Sequence, residues 1–310
     1  MGMERRRRAR GAGLLVAAAA MVAGLAVSTP AGAVSRRGPV IDVVAAENTW
    51  GSLARQLGGN RVDVVSIVSD PNADPHEYES NPTDARDIVE AKYVIINGAG
   101  YDGWAQQLLG AQTVPGRRVL NVARLLGKNA GDNPHFWYGP AYVYRVINQI
   151  TATYESIDPG DRAYFAARHG ALEAAFAPYR ASLSYLRTHF AHTPVAATES
   201  IVQYLAEYLH LDLVTPQRFM DAVAEGNDPP APSVAAFFNQ IAAASFRVLV
   251  YNVQTVTPLT TTIKSATAQK NIPIVGVSET IQPPIDSFEE WMIGQLSELA
   301  NALNANTLGK

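Results

Sequence analysis

Short, strongly apolar runs alternate with helix-type patterns along most of the chain. Four such runs lie in the first half, IDVVAAE, VDVVSIVS, YVIING and RRVLNVA, and four in the second, PVAATE, DLVTP, RVLVYNV and IPIVGV. The segments between them carry apolar residues at helical spacing. Near-continuous hydrophobic strands separated by helices are typical of parallel sheets covered on both faces. The pattern therefore predicts an α/β protein with two lobes, each a mainly parallel sheet flanked by helices.

A helical pattern that is not rich in glycine and serine connects the two halves. It covers residues 158–190, begins with Asp158 and Pro159, and contains Pro178. A proline inside a helix predicts a kink or break in the preceding turn. We predict a first lobe at 34–157, a long rigid linking helix at 158–190 and a second lobe at 191–310. Such a connection would restrict hinge bending between the lobes.

The first 33 residues have the parts of a secretory signal. The basic segment MGMERRRRAR precedes an apolar run from Gly13 to Val27 and the small residues Ala31-Gly32-Ala33. The apolar run is short for a membrane span. We expect cleavage near Ala33 and an exported, extracytoplasmic protein in the periplasm or at the cell surface. The alternative is a retained N-terminal anchor.

Composition excludes several classes of protein. The sequence contains no cysteine, which excludes disulfides, thiolate metal ligands, a nucleophilic thiol and a lipidated cysteine. The net charge is −3, and the arginine cluster lies in the segment expected to be removed. Nucleic acid is therefore not an expected partner.

One glycine motif invites a nucleotide-binding interpretation. Residues 98–103, GAGYDG, match GxGxxG directly after a predicted strand. A dinucleotide site also needs an acidic residue about twenty positions further on. That region reads RRVLNVARLL and has no acid, so we do not predict a dinucleotide site.

Four residues with metal-ligating side chains follow the carboxyl ends of predicted strands, where open α/β sheets bind ligands. They are His76 and His135 in the first half, and Glu199 and Glu279 in the second. Imidazole nitrogen and carboxylate oxygen are ligands for first-row divalent metals. Four protein ligands leave no obligatory open position, which favours carriage over catalysis. Alternatively, Glu199 caps the helix that follows it, and Glu279 is a solvated strand end.

The segment DPHEYESNPTDARDIVEAKYVIINGAGYDGW resembles the signature of the zinc/manganese solute-binding receptors of bacterial ABC importers, and NPHFWYGP resembles the second histidine segment of that family. The resemblance covers essentially the whole mature chain. It implies two lobes, a rigid connecting helix, and one metal in the cleft between the lobes, held by His76, His135, Glu199 and Glu279.

The sequence departs from the family pattern at several places. The third ligand position is usually histidine in zinc-type members and glutamate in many manganese-type ones, and here it is Glu199. The fourth is usually aspartate, and here it is Glu279, with a neighbouring residue as the alternative. The histidine-rich acidic loop of many zinc-specific members is absent between Ala123 and His135, and the lipidation cysteine is missing.

These observations predict a binding protein that is not an enzyme. It would capture one Zn²⁺ or Mn²⁺ ion as transported ligand and deliver it to the membrane permease of an ABC importer. We expect a monomer without nucleic-acid or small organic ligands. The alternatives are an exported metal-dependent hydrolase, although HExxH and GxSxG are both absent, and a metal-binding adhesin without a permease.

Two further features of the site concern which metal binds and which residues support the ligands. Two carboxylates that chelate bidentately would favour manganese, whereas zinc binds most nitrogen/oxygen sites more tightly. We expect Asp74 and Pro75 to shape the turn before His76, and Glu77 or Glu79 to orient an imidazole. We also expect the two carboxylates to raise the pKa of both histidines.

Overall fold

The structure is a computed structural model that describes residues 40–305. The predicted signal segment and its cleavage position near Ala33 lie outside this range. None of the helices between residues 40 and 305 is long and apolar enough to span a lipid bilayer.

Two four-stranded parallel sheets form the framework of the described region. In the first, the strands lie in the order β2-β1-β3-β4, and in the second in the order β6-β5-β7-β8. Both sheets therefore repeat one topology, which agrees with the predicted repeat of strands and helices. The strands are β1 (Ile41–Glu47), β2 (Val62–Val68), β3 (Tyr93–Ile96), β4 (Arg118–Asn121), β5 (Pro194–Ala197), β6 (Asp212–Leu213), β7 (Leu249–Asn252) and β8 (Ile274–Val277).

Helices connect the strands and flank both sheets. Those of the first lobe are α1 (Asn48–Gly58), α2 (Pro82–Glu90), α3 (Gly103–Ala111), α4 (Val122–Leu126) and α5 (Pro140–Ile157). Those of the second are α8 (Gln203–Leu209), α9 (Gln217–Ala224), α10 (Ala231–Ala242), α11 (Pro258–Gln269) and α12 (Phe288–Ala305). The α/β prediction with two lobes is confirmed.

Local sequence explains where α2 begins, and α2 follows the loop that carries His76. The side chain of Asn81 accepts hydrogen bonds from the backbone N–H groups of Thr83 and Asp84, and Asp84 accepts one from the backbone of Asn81. Pro82 occupies the first helical turn, where its missing N–H costs nothing. The predicted helix start at Asn81 and Pro82 is confirmed.

The linking segment consists of two helices instead of one. A short turn at Pro159–Asp161 precedes α6 (Arg162–Ala175), and α7 (Ala177–Phe190) follows after Phe176. Pro178 lies in the first turn of α7, where its ring would collide with a preceding carbonyl if the helix were continuous. The predicted break is confirmed, and the helical residues begin at Arg162, after the short turn, instead of at Asp158.

The broken linker packs into an apolar core that both lobes share. Phe176 is fully buried and stacks on Phe288, the first residue of α12, with ring planes 5° apart. Two residues of α1 then tie the first lobe to the segment before α12. Asn48 exchanges hydrogen bonds with the backbone of Ile281, and Ser52 accepts one from the backbone N–H of Phe288.

These contacts predict a small conformational change on metal binding. Closing the lobes by a large hinge motion would break the Phe176 stack and the hydrogen bonds of α1, and each lost buried hydrogen bond costs about 1–3 kcal/mol. We expect X-ray scattering profiles of the metal-free and zinc-loaded protein to give the same radius of gyration within error. A compaction as large as that of hinge-bending sugar receptors would contradict this expectation.

Candidate metal centre

His76 is presented by a single helical turn after β2. The turn covers Pro75–Glu77, and the side chain of Asp74 accepts a hydrogen bond of 2.9 Å from the backbone N–H of His76. Asp74 and Pro75 therefore shape the turn as predicted. The His76 side chain keeps 17% of its surface exposed, whereas those of His135 and Glu279 keep none. His76 is thus on the side of the centre that faces solvent.

His135 is buried and its tautomer is fixed by Asn133. The Asn133 Oδ1 atom lies 2.8 Å from His135 Nδ1 and 3.0 Å from the backbone nitrogen of His135. Asn133 Nδ2 donates to the carbonyl of Ser200 at 2.7 Å, which fixes the orientation of the amide. Because Oδ1 can only accept, Nδ1 of His135 carries the proton and Nε2 presents a free lone pair. Metal-binding histidines are commonly held in this way.

The two glutamates follow β5 and β8 and are almost completely buried. The side-chain amide of Asn252, the last residue of β7, lies between them. Asn252 Nδ2 donates to Glu199 Oε1 at 2.5 Å and to Glu279 Oε1 at 2.7 Å. The two glutamates follow different strands of the second sheet. Their carboxylates are held in place by one shared donor, the side-chain amide of Asn252.

The structure brings all four predicted residues together. His76 Nε2 lies 3.3 Å from His135 Nε2, and Glu279 Oε2 lies 3.2 Å from the former and 3.5 Å from the latter. One donor atom from each residue of the quartet, with Glu199 included, lies within 4.8 Å of the others. Around a tetrahedral zinc ion with bonds of about 2.0–2.1 Å, neighbouring donors lie about 3.3 Å apart. Three of the four donors already have that spacing.

The remaining four histidines lie outside this cluster. His169 Nδ1 is 3.0 Å from the hydroxyl of Thr151, and His189 stacks on Tyr185. His192 and His210 have positive φ angles in turns. Their predicted role as packing or surface residues agrees with these positions.

The loop with the glycine motif contributes Tyr101 to the centre. The side chain of Asp102 accepts hydrogen bonds from the backbone of Asn97 and Gly98, which closes the loop. Tyr101 then donates a hydrogen bond of 2.6 Å to Glu279 Oε2 and packs edge-on against the ring of His76. The glycines therefore lie in a turn that places Tyr101, a residue of the first lobe, beside the carboxylate of Glu279 in the second lobe.

Sequence reasoning missed Asn133, Tyr101 and Asn252. It assigned the orienting role to Glu77 or Glu79, and this was wrong for His135, which Asn133 orients. The position of Asn133 two residues before a ligand-type histidine was a usable signal. For Asn252 and Tyr101 the signal was weaker, because their partners come from other strands and from the other lobe.

Burial and charge act differently on the two histidines. Burial opposes the charged form of His76, but the neighbouring carboxylate of Glu279 outweighs it and raises the pKa of His76 to about 9. Complete burial lowers the pKa of His135, and the attraction of Glu279 offsets this only in part. The expectation that both histidines have raised pKa values is correct for His76 and wrong for His135. The physical reason is the complete burial of His135.

The two carboxylates also differ. Burial favours the neutral form of Glu279, yet the positive charge of His76 and the hydrogen bond that it donates hold the pKa of Glu279 well below the usual range. Burial and the charge of Glu279 raise the pKa of Glu199. At neutral pH the metal-free centre therefore combines a charged His76, a charged Glu279, and a Glu199 that retains its proton.

A cleft leads to the centre from the side of His76. The cavity has a volume of about 560 Å³ and is lined by residues of both halves of the chain, including Tyr101, Asn133, Ser200 and Asp221. His76 lines this cleft, whereas the lining does not include His135, Glu199 or Glu279.

The parallel sheets and the buried nitrogen/oxygen cluster define a class, the two-lobed α/β binding proteins with a site for a divalent metal. The sequence profile of the family described as "Zinc-uptake complex component A periplasmic" matches residues 43–302, and the chain belongs to this family. Membership indicates an extracytoplasmic location and places the chain among solute-binding proteins.

Individual proteins resemble the chain over different lengths. The manganese-binding lipoprotein MntA of Bacillus subtilis (strain 168) is 28% identical over 170 residues, which cover 50% of this chain and 51% of that protein. The chain thus spans about half the length of the curated relatives it matches. The periplasmic zinc-binding protein TroA from Treponema pallidum superposes with a TM-score of 0.71 at 12% identity, covering 87% of this chain and 99% of that one.

A third comparison involves a protein solved with metal. A Mn-bound mutant of a periplasmic metal-binding protein from Candidatus Liberibacter asiaticus has a TM-score of 0.72 at 14% identity, with 85% of this chain and 99% of that chain covered. At these identities the solved structures support the fold.

Proposed function

We propose that this protein is an extracytoplasmic substrate-binding protein that captures one divalent transition metal ion, zinc or manganese, and delivers it to the permease of an ABC importer. The observation that carries the proposal is the convergence of His76, His135, Glu199 and Glu279 on one buried centre. Family membership supports the same assignment. The metal is cargo in this proposal.

The composition of the centre favours carriage over hydrolysis. A metal-dependent hydrolase needs an open coordination position and a nearby general base. Here the carboxylates of Glu199 and Glu279 face the imidazoles or Asn252. In this proposal both carboxylates are ligands, which leaves neither as the base. The adhesin alternative shares the metal site and differs only in having no permease.

Several finer features belong to this proposal. The protein is exported by a signal segment cleaved near Ala33 and acts as a monomer without small organic ligands. The lobes at 34–157 and 191–310 move little, because the segment 158–190 is rigid. The proposal includes no lipid attached to cysteine, because the given sequence contains no cysteine.

Metal analysis and a transport assay test the proposal together. The protein purified from low-metal medium is expected to bind zinc or manganese in a 1:1 ratio and to hydrolyse no ester, peptide or phosphate substrate. Cells that lack the protein are expected to lose high-affinity metal uptake, which the wild-type chain restores and His135→Ala does not. Metal-dependent turnover would favour the hydrolase, and unchanged uptake would favour the adhesin.

A further inference from the structure

We propose that Asn252 makes each carboxylate a one-oxygen ligand and thereby selects zinc over manganese. This inference rests on the proposed function, because it concerns the same centre, and it names a selectivity-determining residue that is not itself a ligand.

The orientation of the Asn252 side chain follows from its partners. Its Oδ1 atom accepts a hydrogen bond of 2.9 Å from the backbone N–H of Gln254. A backbone N–H can only donate, so Nδ2 must face the acids. Nδ2 has two hydrogens, and the two close carboxylate oxygens lie at 2.5 and 2.7 Å. The hydroxyl of Thr255 also lies 3.0 Å from Nδ2 and 3.4 Å from Glu279 Oε1.

Each carboxylate has one oxygen that Asn252 does not contact. Glu279 Oε2 faces the two imidazoles, at 3.2 and 3.5 Å from their Nε2 atoms. Glu199 Oε2 is buried and has no hydrogen-bond partner among residues 40–305. A carboxylate oxygen has two lone pairs, and Glu279 Oε2 itself accepts a hydrogen bond from Tyr101, so a hydrogen bond alone does not exclude a metal. Binding through both oxygens would, however, bring the cation to the oxygen held by Asn252 Nδ2 and weaken a short buried hydrogen bond worth about 1.5–3 kcal/mol.

The surrounding structure keeps Asn252 in place. Asn252 is fully buried, and its backbone N–H donates to the hydroxyl of Thr198, next to Glu199, at 3.2 Å. Gln254 accepts from the backbone N–H of Glu279 at 2.7 Å and donates to the carbonyl of Ala73 at 2.9 Å. The amide and both carboxylates therefore belong to one hydrogen-bonded unit that also reaches the loop before His76, and they cannot shift independently.

Restricted carboxylates favour one coordination geometry. Two imidazole nitrogens and two single oxygens give four ligands, which is the usual number for zinc in a closed site. Manganese prefers an octahedral, oxygen-rich environment, which bidentate carboxylates would help to supply. The sequence left bidentate chelation open, and the hydrogen bonds of Asn252 argue against it.

The test replaces the amide and measures selectivity and geometry. Removing a group that supports a metal ligand typically costs about 10–100-fold in affinity. Asn252→Leu is expected to lower zinc affinity by that factor while leaving manganese affinity unchanged or higher, so the zinc/manganese ratio falls about 10–100-fold. Cobalt(II) bound to the wild type is expected to show the intense visible absorption of a tetrahedral ion, and the variant a weaker spectrum.

Two further variants make the experiment decisive. Asn252→Ala is measured in parallel and is expected to shift the ratio in the same direction, should the leucine variant fail to fold. Gln240→Leu removes a partly buried amide of the second lobe, which donates to the carbonyl of Val214, and is expected to leave the ratio and the spectrum unchanged. A wild type that prefers manganese, or Asn252 variants with wild-type ratio and cobalt spectrum, would overturn the inference. Failure of the wild type to bind either metal would instead overturn the proposed function.

Discussion

Replacing His135 by alanine is expected to lower zinc affinity further than the loss of about 10–100-fold that follows removal of a supporting residue. His135 is fully buried, and Asn133 fixes its proton on Nδ1, so its free nitrogen is already directed at the centre. With alanine at this position only three metal ligands of the quartet remain. The fourth coordination position stays empty unless another side chain moves into it. Competition titrations with a chelator of known affinity measure the loss.

The control for this experiment is His169→Ala. His169 contacts the hydroxyl of Thr151 between α5 and α6, away from the quartet. Its removal should leave zinc affinity at the wild-type value. Equal affinities for the wild type and the His135 variant would mean that zinc binds elsewhere.

Zinc affinity is also expected to rise steeply with pH. In the metal-free protein the pKa of His76 is raised to about 9, and that of Glu199 is raised as well. Metal binding needs the neutral imidazole and the ionised carboxylate, so both protons leave when zinc binds at neutral pH. Each released proton changes affinity by about tenfold per pH unit. We therefore expect about a 100-fold gain between pH 6 and pH 7, and the contribution of His76 ends near pH 9.

Calorimetry in buffers with different ionisation enthalpies counts the released protons directly. The wild type is expected to release about two at pH 7, and Glu199→Gln about one. His135→Ala should release the same number as the wild type, because burial lowers the pKa of His135 and leaves it neutral. Zinc binding without proton release at pH 7 would contradict these charge assignments.

The sequence predicted the framework because its signals are local. Uninterrupted apolar runs specify parallel strands buried on both faces. A proline in a helix interior, such as Pro178 in the linker pattern, breaks or kinks the helix. The placement of His76 and Glu279 could also be predicted, since each follows the carboxyl end of a parallel strand, where open α/β sheets bind ligands. The start of the linker helix could not, because Asp158 and Pro159 have the residue types of a helix start and instead form a short turn at Pro159–Asp161.

The finer features of the centre depend on contacts between distant segments. Asn252 acts through Glu199 and Glu279, which lie 53 and 27 residues away in sequence. Tyr101 reaches a carboxylate 178 residues away. The opposite pKa shifts of His76 and His135 follow from unequal burial, which no short motif encodes. Spacing and residue type predicted which side chains meet, and only the folded arrangement shows how many oxygens each carboxylate can offer.

A crystal structure of the zinc-loaded protein, with anomalous data collected at the zinc absorption edge, tests the central claim most directly. The account predicts one anomalous peak in the cleft, with Nε2 of His76 and His135 and one oxygen each of Glu199 and Glu279 about 2.0–2.2 Å from it. A peak away from these residues, or either histidine turned away from the zinc, would contradict the assignment of the metal centre.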